Sequence, residues 1–151
     1  MTTAERLTGR VQPGKGDASR WLARFNAAYA RKVGMAVFPG SLNLALPHAF
    51  DWSAPAIRRR TLWFDRAEYG GERDILLVPC RLVNLHRPGG GAPAQEPAWL
   101  WSTTTAARDR PDPWVVEVIA AVPLRATYGL ADGALVVVEL LDAPPASPDA
   151  P

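Results

Sequence analysis

Cysteine is nearly absent from this sequence: Cys80 stands alone among 151 residues. That excludes an intramolecular disulfide and a cysteine-based zinc site. Cys80 lies in the apolar run Ile75 to Val83, where a buried, unreactive thiol is expected. Histidine is scarce too, and His48 and His86 are too far apart to share a metal by local spacing; both read as surface residues. Charge of one sign is wanting, since 17 Lys+Arg face 15 Asp+Glu for a net +2. No basic run exceeds Arg58 to Arg60, whereas nucleic-acid binders carry a denser stripe, so no nucleic-acid partner is expected. Nor is there an apolar stretch of the roughly 18 residues that a membrane span requires. The start, Met-Thr-Thr-Ala-Glu-Arg, has no apolar leader core. The expectation is a soluble, cytoplasmic protein that does not engage membranes. A Gly-x-x-x-x-Gly-Lys-Ser/Thr phosphate loop is also missing, which argues against an ordinary P-loop kinase.

What remains is an ordinary globular composition, 48% hydrophobic and 21% charged, at a length that suits one domain with a real core. The expected domain covers residues 1–142, and the Pro-rich stretch 143–151 reads as a disordered tail. Leu7 to Val11 predicts a short strand. Trp21 to Val33 predicts the one substantial helix, with Leu22, Phe25, Tyr29 and Val33 at spacings of three and four and Gly34 as its stop. Further strands are expected at Thr61 to Phe64, Asp74 to Val83, Ala98 to Trp101, Trp114 to Ala120 and Ala134 to Leu141. Pro88 to Pro97 reads as a loop, and Leu124 to Leu130 as a helical turn capped by Gly129. Six or seven short strands, many turns and one helix near residues 21–33 predict a mainly β fold, a small closed barrel. Core positions are expected for Trp63, Trp99, Trp101 and Trp114; Trp99 and Trp101 share a face, and one of them is a candidate for stacking on a ligand ring.

Two segments carry chemistry. In Pro39-Gly40-Ser41-Leu42-Asn43-Leu44 a tight turn leads into alternating polar and apolar residues. Ser41 and Asn43 then share one strand face, with Leu42 and Leu44 on the other. A hydroxyl and a carboxamide side by side are uncharged oxygen ligands that suit a hard cation such as Mg²⁺; a half-buried strand with its polar face to water has the same pattern. In Gln12-Pro13-Gly14-Lys15-Gly16-Asp17-Ala18-Ser19-Arg20, two glycines beside basic residues let backbone N–H groups approach a phosphate, although a plain surface turn looks alike. Glu117 stands mid-strand in an apolar run, where an unpaired carboxylate is costly to bury. It faces either solvent on an edge strand or a polar ligand.

The order of these pieces resembles the archaeal-type CTP-dependent riboflavin kinase family, a cradle-loop β-barrel. Four blocks between about residues 7 and 141 carry the likeness. They are Gly9-x-Val11-x-x-Gly14-x-Gly16-Asp17-Ala18; Gly40-Ser41-Leu42-Asn43-Leu44; Thr105 followed by Val115-Val116-Glu117-Val118-Ile119-Ala120; and Leu124-Arg125 followed by Leu130-x-Asp132-Gly133. The resemblance implies transfer of the CTP γ-phosphoryl group to riboflavin, giving CDP and FMN, with Mg²⁺ as cofactor and a monomeric chain. It implies Ser41 and Asn43 as metal ligands. A nucleotide site would draw on Lys15, Gly16, Asp17, Ala18, Ser19 and Arg20, with Val122, Pro123, Leu124 and Arg125 as a second wall. Arg125 suits either a phosphate contact or a structural ion pair. Thr105 and Glu117 fall on the flavin side, and Glu117 is the candidate general base. The sequence departs from the family at Asp17, in place of Glu, and at Ala18, in place of Gly; a positive φ at Ala18 would cost on the order of 1 kcal/mol. The flank of Thr105 is altered as well. The competing expectation is a non-catalytic barrel that binds a nucleotide or flavin.

Overall fold

The computed structural model describes residues 5–14, 17–104 and 112–144. Lys15, Gly16, Thr105 and most of the expected tail lie outside the described residues, as do the side chains of Asp17 and Thr104. Seven strands form one antiparallel sheet: β1 (Arg6–Gln12), β2 (Leu42–Ala45), β3 (Leu62–Phe64), β4 (Asp74–Leu85), β5 (Ala94–Thr104), β6 (Val115–Ala120) and β7 (Leu135–Leu140). Their order is β3-β4-β5-β6-β2-β1-β7, and a β4–β7 pairing closes the last six into a barrel. β3 remains outside the closure, an extra strand on β4. The fold is therefore mainly β around a closed six-stranded barrel, in line with the sequence.

Strict alternation decides what goes inside. Val78, Cys80, Leu82, Leu100, Val116, Val118, Val136 and Val138 point into the barrel together with Leu42 and Leu44. Each fully buried side chain of this size contributes about 1.5–3 kcal/mol. α3 (Pro55–Arg60) and α5 (Leu124–Tyr128) add Ile57, Leu124 and Tyr128 to the same core. Cys80 is fully buried, and that burial pushes its thiol far above the usual range.

A second apolar layer covers part of the barrel's outside. α1 (Asp17–Arg24) and α2 (Asn26–Val33) lay Leu22, Tyr29 and Val33 over Ile75, Leu77, Trp99, Trp101 and Ile119. The single helix expected over 21–33 is in fact this pair, bent at Phe25, and it begins four residues earlier than expected. Helical hydrogen bonding continues through the bend (Phe25 N to Trp21 O, 3.0 Å), and the Asn26 side chain anchors the second segment on Val37 O at 2.8 Å. Gly34 ends it in the left-handed conformation, φ 72°. The short α4 (Arg66–Tyr69) replaces the open turn expected between β3 and β4.

Two further expectations need correction. Residues Ala94 to Pro97, read as loop, are the start of β5. They pair with β4 alone, because the β5–β6 ladder begins only at Ala98; proline at such an edge removes no hydrogen bond from β6. Trp63 and Trp114, assigned to the core, are 49% and 54% exposed. Trp63 sits on β3, whose face opposite Leu62 has no covering layer, and Trp114 lies in the turn before β6. Both histidines are exposed, as expected. Among the described residues no helix is long and apolar enough to cross a membrane.

Candidate active site

Opposed residues of neighbouring antiparallel strands share a face. One such row crosses the outer surface of the barrel: Gln12 opposite Asn43, Asn43 opposite Glu117, Glu117 opposite Trp101, Trp101 opposite Leu77. At the Leu77 end the row lies under the helices. At the Gln12 end the cover stops, and a cleft of about 540 Å³ opens over the polar members. Glu117 is thus neither on an edge strand nor turned to bulk solvent: β2 and β5 flank β6, and the half-buried carboxylate points into the cleft.

Ser41 reaches the same place from the turn before β2. Gly40 N donates to Phe38 O (2.8 Å) and Phe38 N to Ala120 O (2.7 Å), tying the turn to the end of β6. The Ser41 hydroxyl then donates to Glu117 Oε1 at 2.9 Å, which leaves its lone pairs available to a cation. Asn43 is fixed from the other side. A Cβ on Gly14 would stand 2.4 Å from Asn43 Nδ2 and 3.6 Å from Oδ1, so the first loop crosses the amide at a separation that only glycine allows. Ser41, Asn43 and Glu117 together present a hydroxyl, an amide and a carboxylate. Three oxygen-bearing groups with open space beside them fit Mg²⁺, which keeps several waters and binds few protein ligands. Among the described residues no cluster of three His, Cys, Asp or Glu offers a competing metal site.

The other expected residues divide. Ala18 and Ser19 line the cleft, but as the first turn of α1 and not as a loop. Among described non-glycine residues only Asn84 has a positive φ, so Ala18 bears no left-handed strain. Arg20, exposed on α1, does not line the cleft. Val122, Pro123, Leu124 and Arg125 form one wall of a groove of about 120 Å³ that meets the cleft at Gly40 and Ser41. The Arg125 guanidinium donates to Asp132 Oδ1 at 2.7 Å and to Gln12 O at 3.1 Å, so it makes the structural ion pair.

No family model matches the chain, and no curated protein matches it in sequence.

Sequence reasoning passed over several residues of the cleft. Trp21 and Trp52 line it, as do Ser102, Thr103, Asp112 and Arg73. Trp21 belongs to a helix whose aromatics packing alone explains, and Trp52 and Arg73 stand in irregular segments without a pattern. Trp101 is the one tryptophan of the expected pair at the cleft; Trp99 is 1% exposed beneath the helices. The Trp101 indole N–H donates to the Tyr29 hydroxyl at 3.0 Å, which holds the ring in place. Burial raises the Tyr29 phenol well above its ordinary pKa, so it stays a neutral partner.

Proposed function

We propose that this chain belongs to the CTP-dependent riboflavin kinases and transfers the CTP γ-phosphoryl group to the terminal ribityl hydroxyl of riboflavin, as a cytoplasmic enzyme. The observation that carries this reading is the meeting of Ser41, Asn43 and Glu117 in one cleft, with Gly14 of the first loop seated on Asn43. Three separate blocks of the resemblance thereby contribute to a single site.

Under this reading the riboflavin hydroxyl oxygen attacks the γ-phosphorus, the bond to the β–γ bridging oxygen breaks, and CDP leaves. Glu117 orients the attacking hydroxyl and takes its proton as the new bond forms. Ser41 and Asn43 would hold Mg²⁺, and the ion would supply neutralisation of the phosphate charge. The first turn of α1 brings Ala18 and Ser19 toward the nucleotide, where a helix N-terminus favours phosphate. Trp21, Trp52 and Trp101 give the cleft the aromatic walls that a planar ring system prefers. Positioning supplies most of the rate, since phosphoryl transfer needs little covalent help.

The alternative is a barrel that binds a nucleotide or flavin without turnover, and one observation favours it: the Arg125 charge is already engaged by Asp132. The experiment that separates them is riboflavin phosphorylation with CTP or ATP and Mg²⁺, with FMN followed by chromatography. CTP-dependent FMN formation that is abolished by Asn43→Ala supports the kinase and its metal site. Riboflavin binding without FMN from either nucleotide rejects the kinase in favour of the binding barrel.

A further inference from the structure

Trp99 and Trp101 stand two residues apart on the outer face of β5, both against the helix layer, yet their indole N–H groups are treated differently. Trp99 Nε1 is buried with no hydrogen-bond partner among the described residues. Trp101 Nε1 donates to the Tyr29 hydroxyl at 3.0 Å, with Tyr29 fully buried and Trp101 5% exposed. Packing alone therefore suffices to hold an indole in this layer. The Tyr29 bond adds direction, which packing supplies poorly because the outer torsion of a tryptophan side chain is broad. Of the two rings, the directed one is the one that lines the cleft.

Tyr29 is itself held from several elements. The Phe64 ring of β3 meets it edge-on, with centroids 5.7 Å apart at 77°. The Tyr69 ring of α4 lies 6.4 Å away and packs on Phe64 at 4.7 Å. So α2, β3 and α4, none of them part of the barrel closure, converge on one phenol. At its other end Trp101 opposes Glu117 across the β5–β6 ladder, where Cβ atoms stand about 4.5–5.5 Å apart. The exposed part of the indole thus forms the cleft floor beside the carboxylate. A Trp101 N–H released by Tyr29 would find its nearest wet acceptors on the cleft side, and the ring would tip into the space an acceptor ligand needs.

We propose that Tyr29 is a positioning residue for acceptor binding: by holding the Trp101 N–H toward the helix layer, it keeps the indole out of the cleft and sets the floor on which a flat heteroaromatic ligand rests beside Glu117. Tyr29 touches no ligand and acts through Trp101 alone. The inference rests on the flavin reading above and adds to it the remote group that shapes the acceptor subsite, with no part in holding the nucleotide.

The test is a double-mutant cycle on the full chain: wild type, Tyr29→Phe, Trp101→Phe and the double variant. Riboflavin affinity is measured by its intrinsic fluorescence and CTP affinity by equilibrium dialysis. Tyr29→Phe keeps the ring and removes only the acceptor oxygen. It should bind riboflavin about three- to tenfold more weakly and CTP unchanged. Its NMR spectrum should show a shifted Trp101 indole N–H, the signal identified by its absence in Trp101→Phe. Trp101→Phe should lose at least as much riboflavin affinity, and the double variant no more than Trp101→Phe. If wild type binds riboflavin and either single variant binds it equally well, the inference is overturned while the flavin reading stands. An unshifted indole signal, or a fall in CTP affinity to match, also overturns it. So does a double variant weaker than Trp101→Phe by the factor that Tyr29→Phe costs alone, since a general loosening of the helices would act whether or not residue 101 carries an N–H. That comparison decides even if Tyr29→Phe melts at a lower temperature. If wild type binds no riboflavin, the flavin reading fails and takes the inference with it.

Discussion

Glu139→Gln is expected to destabilise the barrel by about 2 kcal/mol at neutral pH. Glu139 lies on the outer face of β7, the strand that pairs with both β1 and β4 to close the barrel. Its register partners are Arg6 and Arg81. Arg6 donates through Nε to Oε2 at 3.1 Å, and Arg81 through Nε to Oε1 at 2.8 Å. The carboxylate side chain is 5% exposed, against 58% for Arg6 and 42% for Arg81. Glutamine keeps the volume but turns an N–H₂ toward one guanidinium, so at least one charge-assisted pair is lost, a loss of about 1.5–3 kcal/mol. Both arginines can regain water, which keeps the net cost toward the lower half of that range. For a chain of 151 residues that is a drop in Tm of about 4–8 °C, measured by thermal and urea denaturation.

The pH dependence gives the same reasoning a sharper form. The Arg81 hydrogen bond, then Arg6, holds the Glu139 carboxyl below its ordinary value of 4.5. A depressed carboxylate contributes stability that is present above its unfolded pKa and lost as pH falls through its folded one. The gap between wild type and Glu139→Gln should therefore be full at pH 7 and shrink progressively below about pH 4.5. An unchanged Tm at pH 7, or a gap that persists on acidification, would refute the account of the seam.

Two further predictions test the site and the second layer. Gly14→Ala drives a methyl into the Asn43 amide; activity in the kinase assay should fall about tenfold or more. The fold should lose less than about 1 kcal/mol, because the tip of one side chain rather than backbone must move; equal losses of activity and stability would count against Asn43 as ligand. All three tyrosines have raised pKa values from burial first, Tyr128 to about 12. A group raised in the folded state loses its stabilisation as pH climbs through that value, so absorbance at 295 nm should rise later than for free tyrosine, and the share from Tyr29 and Tyr128 should appear together with loss of the far-UV signal. A separate phase near pH 10 with the fold intact would contradict the burial of these rings.

The sequence was legible where a local rule is also the global one. Alternation in Leu42-Asn43-Leu44 and in Val116-Glu117-Val118 predicts which side chains enter the barrel, and they do. The glycines after the helical segments cap as expected, Gly129 with φ 60°. Legibility failed where neighbours distant in the chain decide. The first turn of α1 looks like a loop because Gly-rich residues precede it, and only packing of Leu22 and Ala18 on the sheet makes it helix. Tryptophan content does not distinguish Trp99, under two helices, from Trp63, on a strand with one neighbour. Arg73 and Trp52 reach the cleft through tertiary placement that no spacing announces.

Core and cleft are two ends of one register. From Leu62 through Leu77 and Trp101 to Glu117, Asn43 and Gln12, successive strands contribute one side chain each to a single outward row. Its apolar half draws the helix pair onto the barrel, and burial there fixes the register of β4, β5 and β6, because a slip of one residue would turn Leu77 and Trp101 inward. The polar half inherits that register. Glu117 cannot move relative to Trp101, nor Asn43 relative to Glu117, without breaking the packing farther along. Trp101 is the joint, with its indole N–H on Tyr29 in the helix layer and its ring on the cleft. A carboxylate, a hydroxyl and an amide are thus held together by hydrophobic burial some strands away, and that rigidity is what a site acting by position requires.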